Sequence, residues 1–302
     1  MRVIITGGTG PIGRALTQSL AADGHEVIVL SRNPDKVGGL PQGARAVKWD
    51  GRSAQGWGQM ADGADAIVNL AGESIAAGRW LEARKQSILQ SRVDAGQAVV
   101  EAVKAATRKP RVVAQSSAVG FYGPRGNEKI AEDASAGSDF LASICQAWEA
   151  STAPIEAMGV RRVIIRTGVV LDKKGGALPQ MMLPFKLFIG GPLGGGQQGF
   201  PWIHLADEVT AIRFLIDQPS ASGVFNLSAP QPLSNAQFGR VLGKALGRPA
   251  FIPTPGIAMK ILFGEMSTLL LDGQFEIPQR LQQSGFAFRF ADADAALRDV
   301  LK

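Results

Sequence analysis

MRVIITGGTGPIGRALTQSLAA, residues 1–22, decides the fold. Met1 to Ile5 form a short apolar run with strand character. Thr6-Gly7-Gly8-Thr9-Gly10-Pro11-Ile12-Gly13 is a glycine-rich turn, and Arg14 to Ala22 reads as a helix. A strand, a glycine turn and a helix in that order make an anion site. The first N–H groups of a helix lack intrahelical partners, its N-terminus carries partial positive charge, and glycines let a pyrophosphate approach the backbone. The spacing Gly7, Gly10, Gly13 differs by one residue from the G-x-G-x-x-G fingerprint of dinucleotide-binding turns. Gly7, Thr9, Gly10, Pro11, Ile12 and Gly13 are therefore the expected cradle of a cofactor.

The next elements sharpen that expectation. His25 to Leu30 (HEVIVL) reads as a second strand ending at Ser31-Arg32. An acidic residue there would bind the 2′-OH of NAD, whereas a basic one accepts the 2′-phosphate of NADP. Ser31 and Arg32 stand at this point with no carboxylate, so the expected cofactor is NADP(H), and Arg32's planar fork suits phosphate. Ala44 to Trp49 reads as a third strand, and Asp50 after it is either an acceptor for the adenine amine or a turn residue. A fourth strand, Ala64 to Leu70, closes with Leu70-Ala71-Gly72, whose small residues let a cofactor ribose lie near the backbone.

A helix is expected over about 80–107, stopped by Lys109-Pro110. Arg92 in its middle is a candidate contact to the cofactor phosphates, or an exposed helical arginine. A fifth strand, Arg111 to Ser116, leads into Ser117-Ala118. A helix capped by Ser138 or Asp139 runs to about Met158, then a sixth strand from Val160 to Val170 with a Thr167-Gly168 exit. Ser116 and Thr167 sit at strand ends facing the expected cofactor. Such alternation implies an α/β fold, a Rossmann-like doubly wound parallel sheet. Beyond it the texture turns glycine-rich, and a smaller mixed C-terminal substrate subdomain is expected. The division read from the sequence is 1–172 for the NADP-binding domain, with 203–230 returning to it, and 173–302 for the substrate pocket and C-terminal part.

Composition excludes several classes. With 302 residues, 45% hydrophobic and 19% charged, the chain reads as an ordinary globular protein. No apolar run reaches membrane-spanning length, and MRVII followed by glycines lacks a signal-peptide core, so a cytoplasmic protein without a membrane partner is expected. The single Cys145 rules out an intrachain disulfide framework. Net charge is +6, but the basic residues are scattered and there is one tyrosine, so no nucleic-acid partner is expected. No His/Cys/carboxylate spacing suggests a metal. The expected assembly is a monomer or homodimer.

TGGTGPIG, NLAG, SSAVGFYG and WIHLAD occur in the order found in the extended short-chain dehydrogenase/reductase superfamily, the NAD(P)-dependent epimerases/dehydratases, which the chain resembles. NLAGESI followed by RW, GGPLGGGQQGFPWIH and IPQRLQQSGFAFRF narrow the resemblance to an atypical, epimerase-like branch with a small C-terminal module of unknown function. The superfamily implies Tyr-x-x-x-Lys on the helix after the fifth strand, where the tyrosine moves a proton and the lysine lowers its pKa. Aligning Trp148-Glu149 with the end of that motif places Leu141 at the tyrosine and Cys145 at the lysine. Ala118 falls near the usual Ser/Thr, with Ser117 one residue early. Neither Leu141 nor Cys145 can relay a proton, and Cys145 reads as packing.

The remaining proton-transfer candidates are Ser117 and His204. His204 with Asp207 forms either an acid/base pair or a structural hydrogen bond. Two functions stay open. One is an NADP(H)-dependent oxidoreductase or epimerase acting on an unknown small carbonyl or hydroxyl substrate with a non-standard proton donor. The other is a non-catalytic NADPH-binding sensor or scaffold.

Overall fold

The computed structural model describes residues 1–302. In chain order the first elements are β1 (Arg2–Thr6), α1 (Pro11–Ala22), β2 (Glu26–Ser31), β3 (Ala44–Lys48), β4 (Ala66–Asn69), α2 (Glu82–Ala105), β5 (Val112–Ala118), β6 (Lys129–Ile130) and α3 (Phe140–Ser151). Next come β7 (Arg161–Thr167), β8 (Val169–Leu171), α4 (Leu178–Lys186), β9 (Gly199–Phe200), β10 (Trp202–His204), α5 (Leu205–Asp217) and β11 (Gly223–Leu227). The chain closes with β12 (Leu233–Ser234), α6 (Asn235–Leu246), α7 (Gly256–Phe263), α8 (Thr268–Leu271), β13 (Phe275–Glu276), α9 (Gln279–Gln283) and α10 (Ala293–Val300).

Seven strands form one sheet in the order β11-β7-β5-β4-β1-β2-β3, and every pairing is parallel. The order reverses at β1, which makes β1 and its neighbour β4 the switch point of a doubly wound sheet. Parallel sheets are covered on both faces, which is why their strands read as unbroken apolar runs. In β1, Val3 and Ile5 pack on one face with Leu16 and Leu20 of α1 and Ile212 and Leu215 of α5. Ile4 points to the other face, among Ile67, Val113, Trp57 and the α2 residues Ala95, Val99 and Val103. A separate core joins Leu171, Phe185, Trp202, Phe238, Leu242 and Leu297, and holds α4, α6 and α10 together. No helix is long and apolar enough to cross a membrane.

Most boundaries agree with the sequence reading to within two residues, and three differences have a clear physical cause. α1 starts at Pro11, three residues before Arg14, because proline's fixed φ suits the first helical position and its missing N–H costs nothing there. The sixth strand breaks at Gly168. A Cβ at this glycine would lie 2.9 Å from the Pro201 carbonyl oxygen, and β8 leaves the main sheet to pair with β10. α3 ends at Ser151, and Pro154 in the turn that follows prevents its continuation toward Met158.

Candidate active site

The glycine turn is shaped by close backbone approach. Gly7 has φ +66°, and a Cβ there would sit 2.7 Å from the Leu70 carbonyl. A Cβ at Gly13 would sit 2.5 Å from the Gly7 oxygen and the Gly8 Cα. These two glycines fold the turn against itself and against the end of β4. Gly10 differs: it is the N-cap of α1 and makes no side-chain cap, leaving the first N–H groups of α1 open. Gly8, which the sequence reading passed over, packs the turn onto β2, with a Cβ there meeting Val29 Cγ1 at 2.7 Å.

A buried chain of polar groups holds the strand ends beneath this turn. Thr6 Oγ1 donates to Asn69 Oδ1 at 2.5 Å, Asn69 Nδ2 donates to Gln115 Oε1 at 2.8 Å, and Gln115 Nε2 donates to the Ser116 carbonyl at 2.7 Å. The Ala71 N–H donates back to Thr6 Oγ1 at 3.1 Å, which fixes the path of Leu70-Ala71-Gly72.

At the end of β2, Arg32 is exposed and its guanidinium has no partner in the protein, while Lys48 donates to its carbonyl. Ser31 Oγ accepts from the Asn33 N–H at 3.2 Å. Asp50 accepts from the N–H groups of Arg52 and Ser53 at 2.7 and 2.9 Å and from Ser53 Oγ at 2.7 Å. Burial opposes ionisation of Asp50, but these donors together hold its carboxyl below the usual range. The turn-residue reading of Asp50 is thus the one its own loop displays.

A cleft of ≈ 220 Å³ opens at the carboxyl ends of β5 and β7, and its walls include Arg92, Leu141, Cys145, Trp148, Thr167 and Phe200. A larger depression of ≈ 400 Å³ lies between α5 and residues 285–289, but none of its residues belongs to the glycine turn or to the sheet strands. Ligands of doubly wound sheets bind outside the carboxyl ends of the strands, so the smaller cleft is the candidate site. Asp139 caps α3 by accepting from the Ala142 N–H at 2.8 Å. Thr167 Oγ1 donates to Glu208 Oε1 at 2.9 Å. Glu208 is fully buried, and burial raises its pKa from the usual 4.5 to about 8, so it is a neutral acid at pH 7.

The family model described as the NAD dependent epimerase/dehydratase family matches residues 3–228, and a domain of unknown function, DUF1731, matches residues 254–300. The chain belongs to the NAD dependent epimerase/dehydratase family. It is 39% identical over 306 residues to the epimerase family protein SDR39U1 of Bos taurus, covering 100% of both chains. It is 38% identical to the epimerase family protein YfhF of Bacillus subtilis, covering 100% of this chain and 98% of that one. Among solved structures, human SDR39U1 crystallised with NADPH is 38% identical, with a TM-score of 0.88 over 99% of both chains.

α3 meets the cleft at the two positions where the resemblance led us to expect tyrosine and lysine. Leu141 and Cys145 both line it, and a Cβ at Gly120 would touch them at 3.2 and 3.8 Å, so these side chains occupy the wall itself. Burial pushes the Cys145 thiol up to about 11, with the nearby Glu149 adding to the shift. The thiol is therefore held protonated at neutral pH.

Both sequence candidates for proton transfer lie off the cleft. His204 is the N-cap of α5: its Nδ1 accepts from the Ala206 N–H at 3.0 Å, and its ring stacks on Phe290 at 3.9 Å. Burial lowers its pKa, and the ring faces the C-terminal module with Nε2 3.5 Å from Asp299. Asp207 accepts from the N–H groups of Arg289 and Phe290, both at 2.8 Å, so it pins that module to α5 instead of pairing with His204. Ser117 donates to Glu149 Oε1 at 2.7 Å and is turned into the interior. There Glu149 also takes Arg166 Nε at 2.8 Å and Nη2 at 2.9 Å. Arg166 Nη1 in turn donates to Tyr122 OH at 3.0 Å, and Tyr122 donates to Asn226 Oδ1 at 2.6 Å. The chain's only tyrosine is thus locked in this network, and burial raises its pKa.

Glu208 is the group that sequence reasoning missed. The signal was present: Glu208, Ile212 and Leu215 share the core-facing stripe of α5 at i, i+4 and i+7, where a carboxylate does not belong without a reason. No group of three or more His, Cys, Asp or Glu side chains could hold a metal ion.

Proposed function

We propose that this epimerase-family chain binds NADP(H) and uses it as an oxidoreductase or epimerase on a small carbonyl or hydroxyl substrate. The observation that carries the reading is the glycine turn. Side chains are excluded at Gly7 and Gly13, and the α1 N-terminus is left uncapped at Gly10, which is the cradle a pyrophosphate requires. Gly10, Pro11, Ile12 and Gly13 would hold the phosphates, with Gly7 and Thr9 shaping the turn. Ser31 and Arg32 would take the 2′-phosphate, with the unpartnered Arg32 fork supplying the charge. Asp50 would border the adenine, while Leu70, Ala71, Gly72, Ser116 and Thr167 would line the path to the cleft. The relative crystallised with NADPH supports this assignment.

NADP(H), when bound, supplies hydride exchange. The residues of this chain must then handle the proton. The Thr167 hydroxyl, on the cleft wall and hydrogen-bonded to the neutral acid Glu208, is the route that the geometry favours over Ser117 and His204. In this step the neutral Glu208 would donate its proton to Thr167 Oγ1 in place of accepting from it, Thr167 would donate its own proton to the substrate oxygen, and the Glu208 carboxylate left behind would be reprotonated from solvent after turnover. A second reading, a non-catalytic NADPH sensor, is favoured by one observation: Leu141 and Cys145 stand on the cleft wall where the family's tyrosine and lysine are expected. Titration with NADPH, followed by its oxidation against a panel of aldehydes and ketones, separates the two. Turnover that falls at least tenfold in Thr167→Val supports the enzyme. Tight binding with no turnover across the panel leaves the sensor, and no binding overturns both.

A further inference from the structure

The Thr167–Glu208 pair borders a set of buried polar groups that the protein itself leaves unsatisfied. Glu208 Oε2, Ser228 Oγ, Glu132 Oε2 and both carboxyl oxygens of Glu276 have no hydrogen-bond partner in the protein. Glu208 and Glu276 are 0% exposed and Ser228 is 1% exposed, while Glu132 keeps 8%. Four strands bring these residues together. Thr167 at the end of β7 stands opposite Leu227 of β11, and Ser228 is the next residue. Glu276 lies in β13 and stands opposite Ile130 of β6, two residues before Glu132. Asn226 of β11 ties the two edges: its N–H donates to Glu132 Oε1 and its Nδ2 to the Ile277 carbonyl, both at 3.1 Å.

The neighbouring cations are committed elsewhere. Arg166 is taken by Glu149 and Tyr122 OH, and the Arg280 guanidinium donates to the carbonyls of Val224 and Ser222. Burial therefore holds Glu276 well above the usual carboxylate range, and the charges of Glu132 and Glu208 act in the same direction. Ser228 and Arg166 oppose that shift, and Ser228 Oγ comes near Glu276 without bonding to it. Burial raises Glu132 as well, against the N–H groups of Asn226 and Arg280. Buried polar atoms without protein partners are satisfied by ordered water, and each such water needs roughly two to four polar partners. The carboxyl oxygens and the Ser228 hydroxyl supply them.

We propose that Glu276 is the second acid of a buried proton store, in which ordered water held by Ser228 and the carboxyls joins it to Glu208 and Glu132, and that it returns the proton Glu208 gives up through Thr167. The return rests on the proposed role of Thr167 and Glu208, whereas the store does not. After Glu208 has donated, its carboxylate takes a proton along the water from neutral Glu276. The Glu276 carboxylate is then reprotonated by way of Glu132, the only residue of the three with surface in solvent. Glu276 is not on the cleft wall and acts through Glu208.

The store is tested by infrared spectroscopy in D2O from neutral to alkaline pH, where the carbonyl stretch of a neutral carboxyl group stands apart from that of a carboxylate. Wild type should lose the signals of Glu208 and Glu276 in two coupled steps. Glu208→Gln should keep one signal and bring the last step down by about one pH unit or more, because Glu276 then ionises without a carboxylate beside it. A last step that does not move, or a Glu276→Gln variant that loses no neutral-carboxyl signal, overturns the store. The return is tested with any aldehyde or ketone that the protein reduces with NADPH. Glu276→Gln should keep its first turnover within about twofold of wild type and slow the later ones about tenfold or more, with partial rescue by Glu276→Asp. A first turnover slowed as much as the later ones makes Glu276 merely structural and overturns the return. If Glu276→Gln fails to fold, the wild type and Glu208→Gln still decide the store. Coupled steps without turnover on any carbonyl would overturn the return together with the Thr167 reading and leave the store standing.

Discussion

The two walls of the candidate site are built on opposite plans. On the β1–α1 side, side chains are excluded and backbone N–H groups face outward. On the β5–β7 side, polar groups are abundant but turned inward: Ser117, Glu149, Arg166 and Tyr122 bond to one another beneath the cleft, and Leu141 and Cys145 face it. The first wall keeps what a dinucleotide needs. The second presents Leu141 and Cys145 to the cleft, and its polar groups are engaged with one another. The proposed binding and the proposed chemistry rest on different walls and are therefore testable apart.

The largest expected effect tests the structural role of the inner network. Arg166→Ala leaves the Glu149 carboxylate buried without its partner and should cost about 3–5 kcal/mol in urea unfolding. A loss below 1 kcal/mol would mean that the network contributes little to the fold. Gly7→Ala probes the other wall. With φ +66° and a Cβ 2.7 Å from the Leu70 carbonyl, it should destabilise by about 2–4 kcal/mol and abolish NADPH binding in whatever fraction folds. Normal NADPH affinity in this variant would break the contrast between the walls.

Glu208 gives a pH signature. Its folded pKa, about 8, lies above the ordinary 4.5. Its contribution to stability is therefore complete below pH 4.5 and is lost as pH rises through 8, because the unfolded chain ionises first. Wild type should lose roughly 4–5 kcal/mol relative to Glu208→Gln across that window. Parallel stability curves for the two proteins would show that Glu208 ionises normally and is no proton store for Thr167.

The first wall was legible in the sequence because its message is steric. Gly7, Gly10 and Gly13 between an apolar run and a helix admit few other structures, and the reversal of strand order at β1 follows from strand–helix alternation. The place of Arg32 at the end of β2 was legible for the same reason, since it stands at a fixed offset from that turn. The second wall was not, because whether a polar side chain faces cleft or core depends on tertiary neighbours. Ser117 and His204 looked available by residue type, and only their partners, Glu149 and the α5 N-terminus, show them engaged. Arg92 read equally as an exposed arginine or a cofactor contact, and its burial removes the first reading.

The central claim is that the turn and Arg32 together select NADPH. Parallel titration of NADPH and NADH into wild type and Arg32→Ala tests it most directly. The account predicts that Arg32→Ala weakens NADPH about tenfold or more and leaves NADH unchanged, because only NADPH carries the 2′-phosphate. Equal weakening of both cofactors, or no change in either, would contradict it.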